Sequence, residues 1–132
     1  MTTSDPRARP EATRRRLRIL IADDEPVIVD SLSRFFTRRG HLVHPANDAG
    51  SALRLVEEHG FDVALIDARM PGDGLTVVRR LAESSGFEGR VVLMTGALAA
   101  DPAIEVGPGV IRVQKPFRLT DLADLVEGTA RG

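Results

Sequence analysis

Apolar residues form five short runs along this chain. The runs cover residues 17–22, 42–43, 63–66, 91–94 and 110–113. Each run is too short for a buried helix and is rich in β-branched residues, which favours a strand that is covered on both faces. The pattern therefore predicts five strands in one central sheet.

The stretches between these runs have apolar residues at helical spacing, with start or stop signals at their ends. Predicted helices run from Pro26 to about Gly40, from the cap Asp48 to about His59, from about Leu75, over residues 98–106, and from the cap Thr120. The helix over residues 98–106 is expected to be short or irregular, because proline and glycine interrupt that region.

Strands that alternate with amphipathic helices favour an α/β fold. We predict a doubly wound, five-stranded parallel sheet with helices on both faces. Ligands of such sheets bind at the carboxyl ends of the strands. Polar residues directly follow four of the predicted strands, at Asp23, Asp24, Asp67, Thr95 and Lys115. Their coincidence at one edge predicts a ligand site there.

The acidic residues of this edge suggest a metal site. Asp23, Asp24 and Glu25 are consecutive, and Asp67 ends another strand. Clustered carboxylates repel one another unless a cation offsets the repulsion. Oxygen ligands favour Mg²⁺ or Mn²⁺ over zinc, and the histidines at 41, 44 and 59 lack metal-ligand spacing, so surface or strand-edge positions are expected for them. The alternative to a metal site is a solvated acidic loop.

One cation stands out in the composition. Of the 18 Lys and Arg residues, Lys115 is the single lysine. A lysine ammonium is a compact charge, whereas the arginine guanidinium is a planar fork, so a site that needs a point charge beside carboxylate or phosphate would not accept the exchange. Lys115 is therefore a candidate binding residue.

Length and charge suggest one folded domain with short tails. We predict a flexible basic N-terminal tail over residues 1–16, a domain over residues 17–128, and a C-terminal tail over residues 129–132. Residues 1–18 contain six Arg and two acids, a charge of +4, which leaves −5 for the rest of a chain whose net charge is −1. A basic arm can contact nucleic acid or anionic lipid, although a short solvated tail is the commoner outcome.

The chain has no cysteine and no apolar run long enough to span a membrane. We therefore expect a cytoplasmic protein without membrane insertion.

Taken together, Asp23-Asp24, the stretch from Asp67 to Pro71, Thr95-Gly96 and the stretch from Lys115 to Phe117 resemble the receiver domain of two-component response regulators. The resemblance covers roughly residues 17 to 128 and implies the flavodoxin-like receiver fold. Because the chain ends soon after the last predicted helix, a stand-alone, single-domain receiver is expected.

The resemblance implies a role for each of these residues. Asp67 would be the phosphoryl acceptor. Asp24, Asp67 and the backbone carbonyl of Arg69 would bind Mg²⁺ or Mn²⁺ directly, and Asp23 would bind it through water. Thr95 and Lys115 would bind the phosphoryl oxygens, and residue 96, a glycine, would leave space for them.

The chain also departs from the family pattern after the fourth strand. The stretch from Thr95 to Lys115 is about two residues short, and Arg112 stands where the family usually has an aromatic residue. Arg112, Gly96 and Ala97 are possible readout residues, and these departures predict an altered readout in the atypical 98–112 region.

The function implied is a phosphorylation-dependent switch that signals by protein contact and catalyses only its own phosphoryl transfer and dephosphorylation. A histidine kinase or phosphotransfer protein would be the donor, with an unidentified downstream protein target. The domain itself would not bind DNA, and it would be a monomer or weak homodimer. Alternatives are an unphosphorylated scaffold module and, less favoured, an aspartate-nucleophile Mg²⁺-dependent phosphatase.

Overall fold

The computed structural model describes residues 16–83, 89–96 and 110–131. Predictions about the tail before residue 16, the helix over residues 98–106 and the residue Ala97 lie outside this part of the chain.

The described residues form a five-stranded, all-parallel sheet with helices on both faces, which confirms the predicted fold class. The strand order is β2-β1-β3-β4-β5. The strands are β1 Arg18–Ala22, β2 Leu42–Ala46, β3 Val63–Asp67, β4 Arg90–Thr95 and β5 Val110–Gln114, and the helices are α1 Pro26–Arg38, α2 Ala49–Glu58, α3 Gly74–Glu83 and α4 Leu119–Arg131.

The sheet separates two hydrophobic cores, because successive side chains of a strand point to opposite faces. Leu20 and Ile66 pack against α2 and α3, while Ile21 and Leu65 pack against α1 and α4. Every residue of β3 is buried. A strand buried on both faces is held in register by both cores, so the position of its last residue, Asp67, is fixed.

Most predicted helix ends agree with the structure. Asp48 caps α2 by accepting a 2.7 Å hydrogen bond from the Ser51 N–H. Gly40 follows α1 with a φ of 95°, a conformation that favours glycine. The prediction that Thr120 caps the last helix was wrong. That helix begins one residue earlier, at Leu119, and the Leu122 N–H donates to the Arg118 carbonyl at 3.0 Å.

Two boundaries differ from those predicted. The second strand extends to Ala46, well beyond residues 42–43, and includes Pro45, which pairs with Ile21. Proline is unfavourable inside a sheet, but β2 is an edge strand, where a missing N–H can face outward without loss of a ladder hydrogen bond. Helix α4 continues to Arg131, three residues beyond the boundary predicted for the domain.

Candidate functional site

The carboxyl ends of three central strands bring the predicted site residues together. Asp67 pairs with Met94, and Thr95 pairs with Gln114. Asp23 directly follows β1, and its N–H donates to the Ala46 carbonyl at 3.1 Å. The backbone registers therefore place these side chains at one edge of the sheet.

Three carboxylates converge at this edge. One oxygen from each of Asp23, Asp24 and Asp67 lies within 4.8 Å of the others. Asp23 is fully buried and Asp67 is 5% exposed, whereas Asp24 is exposed. These residues fit a hard divalent cation such as Mg²⁺, because the donor set is all oxygen and its open side leaves room for the water ligands that Mg²⁺ retains.

Lys115 lies against this cluster. Its Nζ is 2.8 Å from Asp23 Oδ2, 3.2 Å from Glu25 Oε1 and 3.4 Å from Asp67 Oδ1. One ammonium thus partly offsets the charge of three carboxylates. It reaches them from the loop after β5, across a separation of 92 residues from Asp23.

Burial and neighbouring charges shift the pKa values of Asp67 and Lys115. Burial and then the charge of Asp23 raise the pKa of Asp67 from 3.8 to about 6, although Lys115 and the Arg69 N–H act in the opposite direction. Burial lowers the pKa of Lys115, but the hydrogen bond and charge of Asp23, helped by Asp67 and Glu25, raise it more, so its net pKa lies above 10.5. Lys115 is therefore a cation near neutral pH, and Asp67 is a carboxylate with unusual affinity for a proton.

Two further donors lie beside the carboxylates. The Arg69 N–H donates to Asp67 Oδ1 at 3.3 Å. The Thr95 hydroxyl is buried and donates to the Val113 carbonyl at 3.3 Å. That long bond can be exchanged for a better acceptor by rotation of the side chain. A Cβ built at Gly96 meets no described atom within 4 Å, so this position is open.

The turn after β3 is held close to Asp67. A Cβ at Gly74 would lie 1.8 Å from the Asp67 carbonyl oxygen, so only glycine fits there. Gly72 and Asp73 both have positive φ, and the Asp73 side chain accepts a hydrogen bond from the Leu75 N–H at the start of α3. The Pro-Gly-Asp-Gly stretch signals a turn here, but the close approach of Gly74 to Asp67 was not predicted from the sequence.

Two of the three possible readout residues, Gly96 and Arg112, are among the described residues. Arg112 is exposed on β5, where it pairs with Leu93 of β4. Gly96 directly follows Thr95 at the end of β4, and Ala97 lies outside the described residues.

Two sets of contacts were not predicted. Glu25 contacts Lys115, and its place next to Asp23-Asp24 was the only signal of that role. At the opposite end of the sheet, Glu127 of α4 binds both Arg39 and His41. His41 was expected at a surface or strand edge, but it is only 3% exposed, because its ring is hydrogen-bonded on both sides.

The chain belongs to the response regulator receiver domain family, whose model matches residues 19–127. Receiver domains function in signalling rather than as conventional enzymes, and they generally bind Mg²⁺ at an acidic pocket of the kind described above.

Solved structures agree with this assignment. A CheY-like receiver domain protein from Methanospirillum hungatei has 26% sequence identity and a TM-score of 0.78, over 89% of this chain and 95% of the other. A receiver protein from Sinorhizobium medicae has 26% identity and a TM-score of 0.79, over 89% and 96%.

Curated relatives are longer proteins. The response regulator GtcR of Aneurinibacillus migulanus is 30% identical over 86% of this chain and 47% of its own length. MprA of Mycobacterium leprae is 32% identical over 87% of this chain and 51% of its own length. The chain thus spans about half the length of these relatives.

Among the described residues, no helix has the length and apolar character that crossing a membrane requires.

Proposed function

We propose that this protein is a phosphorylation-dependent signalling switch that accepts a phosphoryl group on Asp67. The observation that supports this most directly is the position of the Lys115 ammonium, 3.4 Å from Asp67 Oδ1 and 2.8 Å from Asp23. This cation can stabilise the negative charge of an incoming phosphoryl group, which the neighbouring carboxylates would otherwise repel.

The proposed reaction transfers a phosphoryl group from a histidine side chain to Asp67. A carboxylate oxygen of Asp67 attacks the phosphorus of a phosphohistidine in line, so that a new O–P bond forms while the N–P bond breaks. The bonding pair leaves with the histidine nitrogen, and the product is an acyl phosphate. Because the pKa of Asp67 is about 6, the attacking carboxylate is mostly ionised above that pH.

The remaining donors would bind the transferred group. Lys115 donates to one phosphoryl oxygen, and Thr95 exchanges its bond to Val113 for another. A Mg²⁺ or Mn²⁺ ion, when bound, would neutralise charge on the carboxylates and the phosphoryl oxygens. Asp24, Asp67 and the Arg69 carbonyl would hold it directly, and Asp23, whose oxygens already accept from Lys115 and the Glu25 N–H, would hold it through water.

Membership of the receiver family implies a histidine kinase or phosphotransfer protein as the donor. We further propose that the switch acts in the cytoplasm on a protein target, as a monomer or weak homodimer, with no DNA contact by the domain itself. The exposed Arg112 on β5 is a candidate contact in that output, and Gly96 and Ala97 belong to the adjoining segment.

Intact mass measurement tests the acceptor. Incubation with Mg²⁺ and a small phosphodonor should add the mass of one phosphoryl group, and a chelator should prevent the addition. Asp67→Asn should remain unlabelled, whereas Asp30→Asn, a matched change at an exposed acid on α1, should label like the parent. Labelling of Asp67→Asn at the parental rate would refute the assignment.

A further inference from the structure

The Lys115 ammonium has three N–H donors, and three carboxylates lie around it. The contacts are 2.8 Å to Asp23, 3.2 Å to Glu25 and 3.4 Å to Asp67. Any new acceptor that enters the site must therefore replace one of these partners or share a donor with it. A phosphoryl group on Asp67 is such an acceptor.

The three partners differ in how readily they can be released. The Asp23 side chain is fully buried and that of Asp67 is 7% exposed, so neither can exchange Lys115 for bulk water. The Glu25 side chain is 62% exposed. A carboxylate at the surface regains its hydration when its ion pair breaks, so releasing it costs little.

The backbone of Glu25 is fixed although its side chain is free to move. Its N–H donates to Asp23 Oδ1 at 2.9 Å, and its carbonyl accepts from the Val29 N–H in the first turn of α1. The carboxylate can therefore move between Lys115 and solvent while the backbone of Glu25 stays in place.

We propose that Glu25 is a positioning residue that holds one N–H of Lys115 until a phosphoryl group takes its place. This inference rests on the proposed function, since the displacing group is the phosphoryl group of Asp67. Glu25 competes with that group for Lys115 and so opposes phosphorylation. Because the ion pair is exposed, the effect should be roughly two- to fivefold.

Kinetics provide the first test. Glu25→Met, which removes both the charge and the acceptor oxygens that Lys115 contacts, should accelerate labelling by a small phosphodonor roughly two- to fivefold. Glu58→Met, the same change at an exposed position at the end of α2, should not. In a Lys115→Met background the acceleration by Glu25→Met should disappear. An equal acceleration in both backgrounds would mean that Glu25 acts only by general repulsion of the donor, and no acceleration in the parent background would also overturn the proposal.

The single lysine allows a second test that a purely structural role would not affect. In a protein with only its lysine side chain isotopically labelled, the Lys115 magnetic resonance signal should differ between the unphosphorylated parent and Glu25→Met. After phosphorylation the two signals should coincide, since Lys115 then lacks a contact with residue 25 in both proteins. Coincident signals before phosphorylation, or signals that stay equally far apart afterwards, would refute the proposal.

The two proposals can fail separately. If the parent takes up no phosphoryl group, the proposed function fails and the release step fails with it. If the parent is phosphorylated but the Lys115 signals do not behave as described, the proposed function stands and the role of Glu25 is refuted.

Discussion

Asp67 combines two properties that oppose each other. It is buried next to another carboxylate, which raises its pKa to about 6, yet the proposed chemistry requires it to be ionised. Lys115 offsets only part of the repulsion, because it is shared among three acids. The carboxylates of the site therefore repel one another, and a bound divalent cation would offset this repulsion.

Proton and metal should therefore compete at Asp67. Above pH 6 the carboxylate is ionised and available, whereas below pH 6 each unit of pH should weaken Mg²⁺ binding by up to about tenfold. Calorimetric titration with Mg²⁺ between pH 5 and pH 8 measures this dependence. An affinity that is constant from pH 7 to pH 5 would contradict the combination of a raised pKa at Asp67 and direct binding of the ion by Asp67.

The same repulsion between carboxylates should lower the free energy of unfolding of the metal-free protein. Between about pH 4 and pH 6 the folded protein binds more protons at Asp67 than the unfolded chain does, so the free energy of unfolding falls as pH rises through that window. Asp67→Asn does not titrate, and its amide oxygen can still accept from Lys115. Without divalent ions at pH 7 we expect this variant to be more stable by about 1 to 3 kcal/mol.

Urea unfolding with a chelator present measures this gain. The advantage of Asp67→Asn should shrink as the pH falls from about 6 to about 4 and be lost below about 4, where the parent carboxyl is protonated in both states. A variant that is equally stable or less stable than the parent at pH 7 would contradict the expected repulsion.

Among the elements, α1 and α4 are joined at the end of the sheet opposite the site. Glu127 of α4 accepts from Arg39 Nε at 2.7 Å and lies 2.9 Å from His41 Nε2. The Leu17 N–H donates to His41 Nδ1 at 3.1 Å, so His41 Nε2 carries the proton and donates to Glu127. This network connects β1, both helices and the start of β2.

Removal of Glu127 should loosen this connection. Glu127→Ala leaves the buried His41 N–H without this acceptor, and such losses cost about 1 to 3 kcal/mol. Glu127→Gln keeps an acceptor and should cost less. Glu57→Ala, at an exposed position on α2, serves as the control in urea unfolding, and an equal loss in both alanine variants would show that the network adds no stability.

The sequence was sufficient to predict the elements that position the site. The apolar runs before Asp23, Asp67 and Thr95 correctly indicated buried parallel strands, whose ends must share one edge. The length of β2 could not be predicted, because Pro45 is acceptable only on an edge strand, and strand order is not a local property of the sequence.

Side-chain pairs between distant elements could not be predicted either. The contact of Lys115 with Glu25 spans 90 residues, and that of Arg39 with Glu127 spans 88. Each depends on helix packing and strand register together. His41 is buried with its ring bonded to the same Glu127 and to the Leu17 N–H, so a histidine expected at the surface or at a strand edge lies in the interior.

At the scale of the whole molecule, the proposed metal site would link distant parts of the chain. A divalent ion at the cluster of Asp23, Asp24 and Asp67 would join the ends of β1 and β3, which are neighbours in the sheet. These residues come together only in the folded protein, so such an ion would bind the native state and stabilise it.

Saturating Mg²⁺ should therefore raise the melting temperature. At a free concentration one hundred times the dissociation constant the gain is about 2.7 kcal/mol, which for a domain of this size corresponds to a shift on the order of 10 °C. The chain has no Trp or Tyr, so far-ultraviolet circular dichroism is a better probe than fluorescence.

Asp24→Asn separates metal binding from the relief of repulsion. Asp24 is exposed, unlike Asp23 and Asp67, so its neutralisation should leave the melting temperature with chelator close to that of the parent. It should nevertheless remove most of the Mg²⁺-dependent shift, because a ligand is lost. Asp67→Asn should instead melt higher than the parent with chelator and respond little to Mg²⁺. If the parent melts at the same temperature with Mg²⁺ and with chelator, these carboxylates do not form a metal site.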